Sequence, residues 1–299
     1  MNKTTTYILI ILGLLVINGW LFFSDGSSAP EGAKRYFEAE DLQRVAQFTF
    51  TREGEATTIR KEGNGWIVND RFPADDRFVN TLFSILDRIE EIRNISDWNG
   101  DLSGQVEVLL TDNTVQYFQI ASNATKTKSY FITDEKAVEV VVPGYKDNVV
   151  DVFLLHADQW RSRLVIDASW RSIQRLTIQS ASQEPLELRF DDSFFLVNGI
   201  PPQDSSAVVD YLNQFQYFEA NEMISQGRFP DLDSLATTSP LATIEIDDIK
   251  AETPTTLTVY PSLPNQTYHL VTVENKMMVI DAKRMSGMLV SAQDFMNLN

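Results

Sequence analysis

Cysteine is absent from this 299-residue chain. That excludes disulfides, thiolate nucleophiles, cysteine-ligated zinc and iron–sulfur clusters. It also excludes a lipid-modified N-terminal cysteine. Histidine is nearly absent: His156 and His269 are the two in the chain. Neither belongs to a His-Glu-x-x-His helix, and no Gly-x-Ser-x-Gly elbow occurs to support a serine nucleophile. The 13 glycines form neither a Gly-x-Gly-x-x-Gly turn nor a phosphate loop with its lysine, so no signature for ATP or NAD is present. Basic residues are outnumbered, with 25 Lys and Arg against 42 Asp and Glu and a net charge of −17. Without a long basic run, such a chain repels phosphate backbones, which argues against nucleic acid. No catalytic residue, cofactor or metal site is expected.

The apolar fraction is 43%, enough to fill a core, and the length suits about two domains. One uncharged run stands apart. "YILIILGLLVINGWLFF" covers residues 7–23, with Trp20, Phe22 and Phe23 at one end and Lys3 before it. At about 1.5 Å per residue such a helix just crosses a bilayer core of about 30 Å. Aromatic residues favour the interface. The run exceeds the apolar region typical of a cleaved signal peptide, and no clean small-x-small site follows it. Residues 1–24 therefore read as an uncleaved signal anchor, and 25–35 as a tether rich in Ser, Gly and Pro. The expected location is the bacterial cytoplasmic (inner) membrane, single-pass, with the bulk of the chain extracytoplasmic or periplasmic.

Beyond the tether the chain repeats itself. Residues 66–96 align with 195–225 without a gap, and 8 of 31 positions are identical, among them Asn69/Asn198, Pro73/Pro202, Asp75/Asp204 and Glu90/Glu219. The entry segments "LQRVAQFTF" (42–50) and "WRSIQRLTI" (170–178) also match, as do the later hairpins at 129–141 and 267–280. Two tandem units are expected, 36–160 and 161–299. In each, alternating strands ("QFTFTRE", "ATTIRKE", "WIVND"; "RLTIQSA", "LELRF", "FFLVN") precede an amphipathic helix. In the first copy Phe78, Val79, Leu82, Phe83, Ile85, Leu86, Ile89 and Ile92 mark the apolar face of that helix. Four further strands follow, and a helix is expected near 145–160. The fold class is α+β: mostly antiparallel sheets with packed helices, after an N-terminal transmembrane helix.

"WIVNDRFPADDRF" (66–78) holds three carboxylates within seven residues: Asp70, Asp75 and Asp76. They could serve a metal, which needs several converging oxygens. The alternative is a turn and a helix cap. In the second copy Asp75 returns as Asp204, whereas Asp76 becomes Ser205 and Asp70 becomes Gly199. The cap explains what recurs. "DLDSL" (231–235) and "EIDDIK" (245–250) lack calcium-loop spacing. Trp66, Phe194, Phe195, Tyr211, Phe215, Tyr217 and Phe218 have the spacing of core residues rather than of a sugar platform.

Two stretches carry a family resemblance. They are "GWIVNDRFPADDRFVNTLFSILDRI" (65–89) and "DQWRSRLVIDASWRSIQRLTI" (158–178), the latter with Arg161 and Arg163. The chain resembles a bacterial domain-of-unknown-function family numbered forty-three-forty. The resemblance implies a membrane-anchored extracytoplasmic protein. It also implies association with ABC exporters of the gliding-motility or auxiliary-transport kind, and supplies no catalytic residues. The expected function is that of a non-enzymatic accessory protein. Its partners would be the membrane, through residues 7–23, and an ABC-transporter permease or other envelope protein. A module binding cell-envelope polysaccharide is the alternative, and a hydrolase with an unrecognised site is a third.

Overall fold

The computed structural model describes residues 34–296 other than Asp147 and Ser182. The anchor at 7–23 and residues 25–33 of the tether lie outside the described residues. Among the described residues no helix is long and apolar enough to cross a membrane. The chain divides into two compact units at Trp160/Arg161.

The first unit contains β1 (Lys34–Arg35), helix α1 (Ala39–Gln43), β2 (Val45–Arg52), β3 (Glu55–Glu62), β4 (Gly65–Val68) and β5 (Phe72–Pro73). Helix α2 (Asp76–Leu86) follows, then β6 (Glu90–Ile95), β7 (Gly104–Leu110), β8 (Val115–Ser122), β9 (Ser129–Ile132) and β10 (Ala137–Val141). These strands form one antiparallel sheet in the order β1-β6-β10-β9-β8-β7-β2-β3-β4-β5. Period-two alternation makes the sheet: Val45, Phe48 and Phe50 on β2 are buried, as are Val106, Val108 and Leu110 on the facing strand β7. On α2 the buried residues are Val79, Leu82 and Leu86, at helical spacing. Each contributes about 1.5–3 kcal/mol on leaving water.

The second unit contains β11 (Leu164–Ile166), β12 (Ile173–Ser180), β13 (Leu186–Asp191), β14 (Phe194–Val197), α4 (Ser205–Leu212), β15 (Phe218–Glu219) and β16 (Glu222–Ile224). Helix α3 (Ala157–Trp160) closes the first unit before it. After α5 (Pro230–Leu235) come β17 (Ala242–Asp248), β18 (Thr255–Val259), β19 (Tyr268–Val273) and β20 (Lys276–Asp281), then α6 (Ala282–Met288) and α7 (Gln293–Met296). The sheet order is β16-β20-β19-β18-β17-β12-β13-β14, with β11 paired to β15 alongside.

Both sheets follow one path. Substituting β16, β20, β19, β18, β17, β12, β13 and β14 for β6, β10, β9, β8, β7, β2, β3 and β4 reproduces the order strand by strand. Irregularities match as well. The β2–β7 register shifts between Val45 and Gln47, and the β12–β17 register shifts between Ile173 and Arg175. Arg35 pairs with Glu90 in the first unit, and Leu164 pairs with Glu219 in the second. The units differ after β6 and β16. The second inserts α5, whose Leu232 packs with Ile224, Tyr260, Leu270 and Val279 in a small separate core.

Three expectations need correction. Helix α2 ends at Leu86, so Ile89 and Ile92 lie beyond it. Ile89 is buried in the following turn, while Ile92 is an exposed residue of β6. Backbone pairing explains the change: the Ile89 carbonyl accepts the Tyr36 N–H at 2.9 Å, and β1 pairs with Glu90 and Glu91. A strand partner overrides the helical phase of the side chains. In place of a helix near 145–160 the chain forms a 3₁₀ segment, Val149–Leu154, and the four residues of α3. Three valines at 149, 150 and 152 suit an α-helix poorly because they are β-branched. The aromatic set is the third case. Phe195, Tyr211, Phe215 and Phe218 are buried, and Trp66 and Phe194 are half-buried, but Tyr217 is 67% exposed.

Candidate functional site

The three carboxylates of 66–78 go to three different places. Asp75 caps α2, accepting the Arg77 N–H on Oδ1 at 3.0 Å. The Arg77 guanidinium closes back on the same carboxylate, Nε to Oδ1 at 3.0 Å and Nη2 to Oδ2 at 2.8 Å. The Asp75 side chain is 5% exposed, so this bidentate pair supplies the charge that its burial requires. Asp70, at φ +53°, pairs with Arg60 Nε at 2.7 Å. Asp76 is exposed in the first turn of α2, where negative charge suits the helix end. Among the described residues no three His, Asp or Glu side chains gather to hold a metal ion.

Asp204 caps α4, accepting the N–H groups of Ser206 at 2.8 Å and Ala207 at 3.2 Å. The Ser206 hydroxyl donates to the same oxygen. That hydroxyl, followed by the two backbone N–H groups, holds the Asp204 carboxyl below the usual carboxylate range. "DLDSL" supplies most of α5, and "EIDDIK" is the end of β17 with the turn beyond it.

The histidines have ordinary local partners. His156 Nδ1 accepts the Asp158 N–H at 3.2 Å, just ahead of α3. On β19, His269 Nδ1 lies 2.8 Å from the Tyr260 carbonyl, which can only accept, so this nitrogen carries the proton. His156 belongs to the first unit and His269 to the second.

An open groove of about 920 Å³ lies in the first unit. Strand ends and turns build it. Arg52 and Glu53 come from the β2–β3 turn, Asp101 from the approach to β7, Lys126 from the β8–β9 turn and Asp151 from the 3₁₀ segment. Both signs of charge therefore line it. Its walls are held by polar side chains. Asn123 Oδ1 accepts the N–H groups of Thr127 at 2.7 Å and Lys128 at 2.9 Å, which fixes the β8–β9 turn. Behind it, Asn148 donates to Ser122 Oγ and accepts from Ser129 Oγ, each at 2.5 Å, and also caps the 3₁₀ segment through the Val150 N–H. Rigid support of this kind limits the ordering cost of binding.

A second, smaller concavity of about 380 Å³ lies between α1, β4 and α2. Leu42, Val45, Trp66 and Phe83 form its apolar surface, with Lys61 and Asp87 among its polar residues. Sequence patterning passes over it, because Leu42, Trp66 and Phe83 all read as core. The available signal is Lys61, a charged residue two positions from the fully buried Ile59 on β3 and directly across from Trp66.

Comparison with protein-family models, curated proteins and solved structures finds no match.

Proposed function

We propose that this chain is a non-enzymatic accessory protein, held at the bacterial cytoplasmic membrane by residues 7–23, with both units on the extracytoplasmic side. Its work is to bind an envelope partner, an ABC-transporter permease or the cargo of such an exporter. One observation carries the binding role: the 920 Å³ groove, lined by both signs of charge, whose β8–β9 turn is already fixed by hydrogen bonds. Mixed charge favours a polar protein surface over an apolar ligand. The resemblance to the forty-three-forty family supports the transporter connection. The uncharged run at 7–23 supports the location. We further read the shared strand path as a tandem duplication of one α+β unit.

Purification from membranes solubilised in mild detergent, at native expression, tests the proposal. Transporter subunits should co-purify with the wild-type chain and be reduced by the groove variant Arg52→Glu/Lys126→Glu. Recovery of the protein alone overturns the reading. A reporter fused after Asn299 that is active only in the cytoplasm overturns the orientation.

A further inference from the structure

The two units share a strand path, so each residue around the smaller pocket of the first unit has a counterpart in the second. The turn before the first central strand fixes the correspondence. The Arg44 N–H donates to the Asp41 carbonyl at 2.9 Å, and the Ser172 N–H donates to the Ser169 carbonyl at 2.9 Å. Two residues before Arg44 stands Leu42, and two before Ser172 stands Trp170. On the neighbouring hairpin, Lys61 lies across from Trp66, and Phe190 lies across from Phe195.

The second unit thus has two aromatic side chains at the equivalent positions, Trp170 half-buried and Phe190 at the surface. Trp170 packs against the core, and Phe190 meets Phe195 edge-on with ring centroids 5.5 Å apart. The first unit has the smaller Leu42 and the charged Lys61 at those positions, and a concavity of about 380 Å³ is left. Its surface keeps the aromatic character: the Trp66 and Phe83 rings are 5.5 Å apart, and both are half-buried. The volume lies at the low end of small-molecule sites.

Charge selects the ligand further. Asp87 is engaged by Arg35 at 3.1 Å, whereas Lys61 has no ion pair among the described residues. The uncompensated charge among the pocket-lining residues is positive, on a chain whose net charge is −17. We infer that the pocket of Leu42, Trp66, Phe83 and Lys61 binds a small planar aromatic carboxylate. The ring lies against Leu42, Trp66 and Phe83, beside positions where the second unit carries Trp170 and Phe190, and the carboxylate meets the Lys61 ammonium. This site is separate from the groove and does not depend on the transporter reading.

Ligand-observed saturation-transfer NMR on the full-length protein in mild detergent tests the inference, with indole-3-acetate and neutral indole as probes. Wild type should show saturable transfer to both and bind the acid about tenfold more tightly, as a charge-assisted contact gives. Lys61→Gln should remove that advantage and leave indole unchanged. Leu42→Trp and Lys61→Phe, which install the second unit's residues, should each abolish binding while circular dichroism stays unchanged. Absence of saturable transfer in wild type overturns the site. So does undiminished binding in both filled variants. Equal weakening of acid and indole by Lys61→Gln overturns the carboxylate assignment.

Discussion

Asn69 Oδ1 accepts the backbone N–H of Thr58 at 2.8 Å, and the Asn69 N–H donates to the Thr58 carbonyl at 2.9 Å. One side chain and its own backbone thereby continue the β3–β4 ladder by one residue. Asn198 makes the same pair of bonds to Glu187, at 2.7 and 2.8 Å. Both asparagines have positive φ, +51° and +48°, a region that Asn tolerates better than most residues. The identity seen in sequence at this position therefore has a backbone cause.

Replacing Asn69 or Asn198 by Ala should destabilise its unit by about 1–2 kcal/mol, from a lost hydrogen bond and an unfavourable φ. Gly at the same position relieves the φ but not the bond, so its cost should fall between wild type and Ala. Urea unfolding followed by circular dichroism measures both. Equal stability of the Ala and Gly variants would contradict the backbone part of the account.

Asp75→Ala should cost about 1–2 kcal/mol as a lost helix cap. Arg77→Ala tests the other half of the pair, since it leaves a carboxylate that is 5% exposed without its bidentate partner. Arg77→Lys should restore only part of the loss, because an ammonium cannot match the fork geometry. Denaturant midpoints of the three variants rank these effects.

Acid should act through Asp204 and Asp112. Asp204 is held low by the Ser206 hydroxyl, and Asp112 by the Thr114 N–H and hydroxyl with Arg44 nearby. Each carboxyl titrates lower in the folded state than in the unfolded chain, where the value is about 3.9. The unfolded state then binds more protons, so the stabilisation is present above about pH 4 and is lost as pH falls through the folded values. An Asp112→Asn/Asp204→Asn variant should lose less stability than wild type between neutral pH and pH 3. Unfolding midpoints across that range decide it; parallel curves would contradict the assignment.

Gly104 begins β7 where a Cβ would sit 2.8 Å from the Thr51 carbonyl oxygen and 3.3 Å from Leu154. The obstacle is backbone of the paired strand β2, so it cannot turn aside. Gly104→Ala should cost about 1–3 kcal/mol through overpacking. Gly54, at φ +86° with open space around its Cβ position, is a contrast in which conformation rather than contact sets the cost. Melting curves of the two Ala variants compare them.

Much of the sheet architecture could be read from alternation alone. "ATTIRKE" lies within β3, and "WIVND" supplies most of β4 and the turn after it. Helix α2 was legible at its start, because Asp75 is a cap with a local partner. Its end was not legible. Ile89 continues the helical phase, and it is pairing with the distant β10, and with Lys34–Arg35 at Glu90 and Glu91, that turns residues 90–95 into a strand. Very short strands leave little local pattern, as β1 and β5 show with two residues each, and β1 is fixed by a remote partner besides. The smaller pocket was hidden for a related reason. An apolar residue lining a cleft and one filling a core look alike in sequence, and only the neighbour that is missing distinguishes them.

The matched register shifts bear on how this chain avoids misassembly. Val45 lies across from Leu110 at one shift, and Ile173 from Asp248 at the other. Asp248 is buried and accepts the Ser172 hydroxyl at 3.0 Å and the Lys250 N–H at 2.8 Å. Two units with one strand path invite exchange of partners during synthesis, a known hazard of repeated domains. A hybrid of β12 with β7 would set Leu110 where Asp248 belongs and leave the buried Ser172 hydroxyl only its Ser169 partners, losing one hydrogen bond worth about 0.5–1.5 kcal/mol. The acidic residue at this one rung thus favours a strand's own partner over the copy's by about one hydrogen bond.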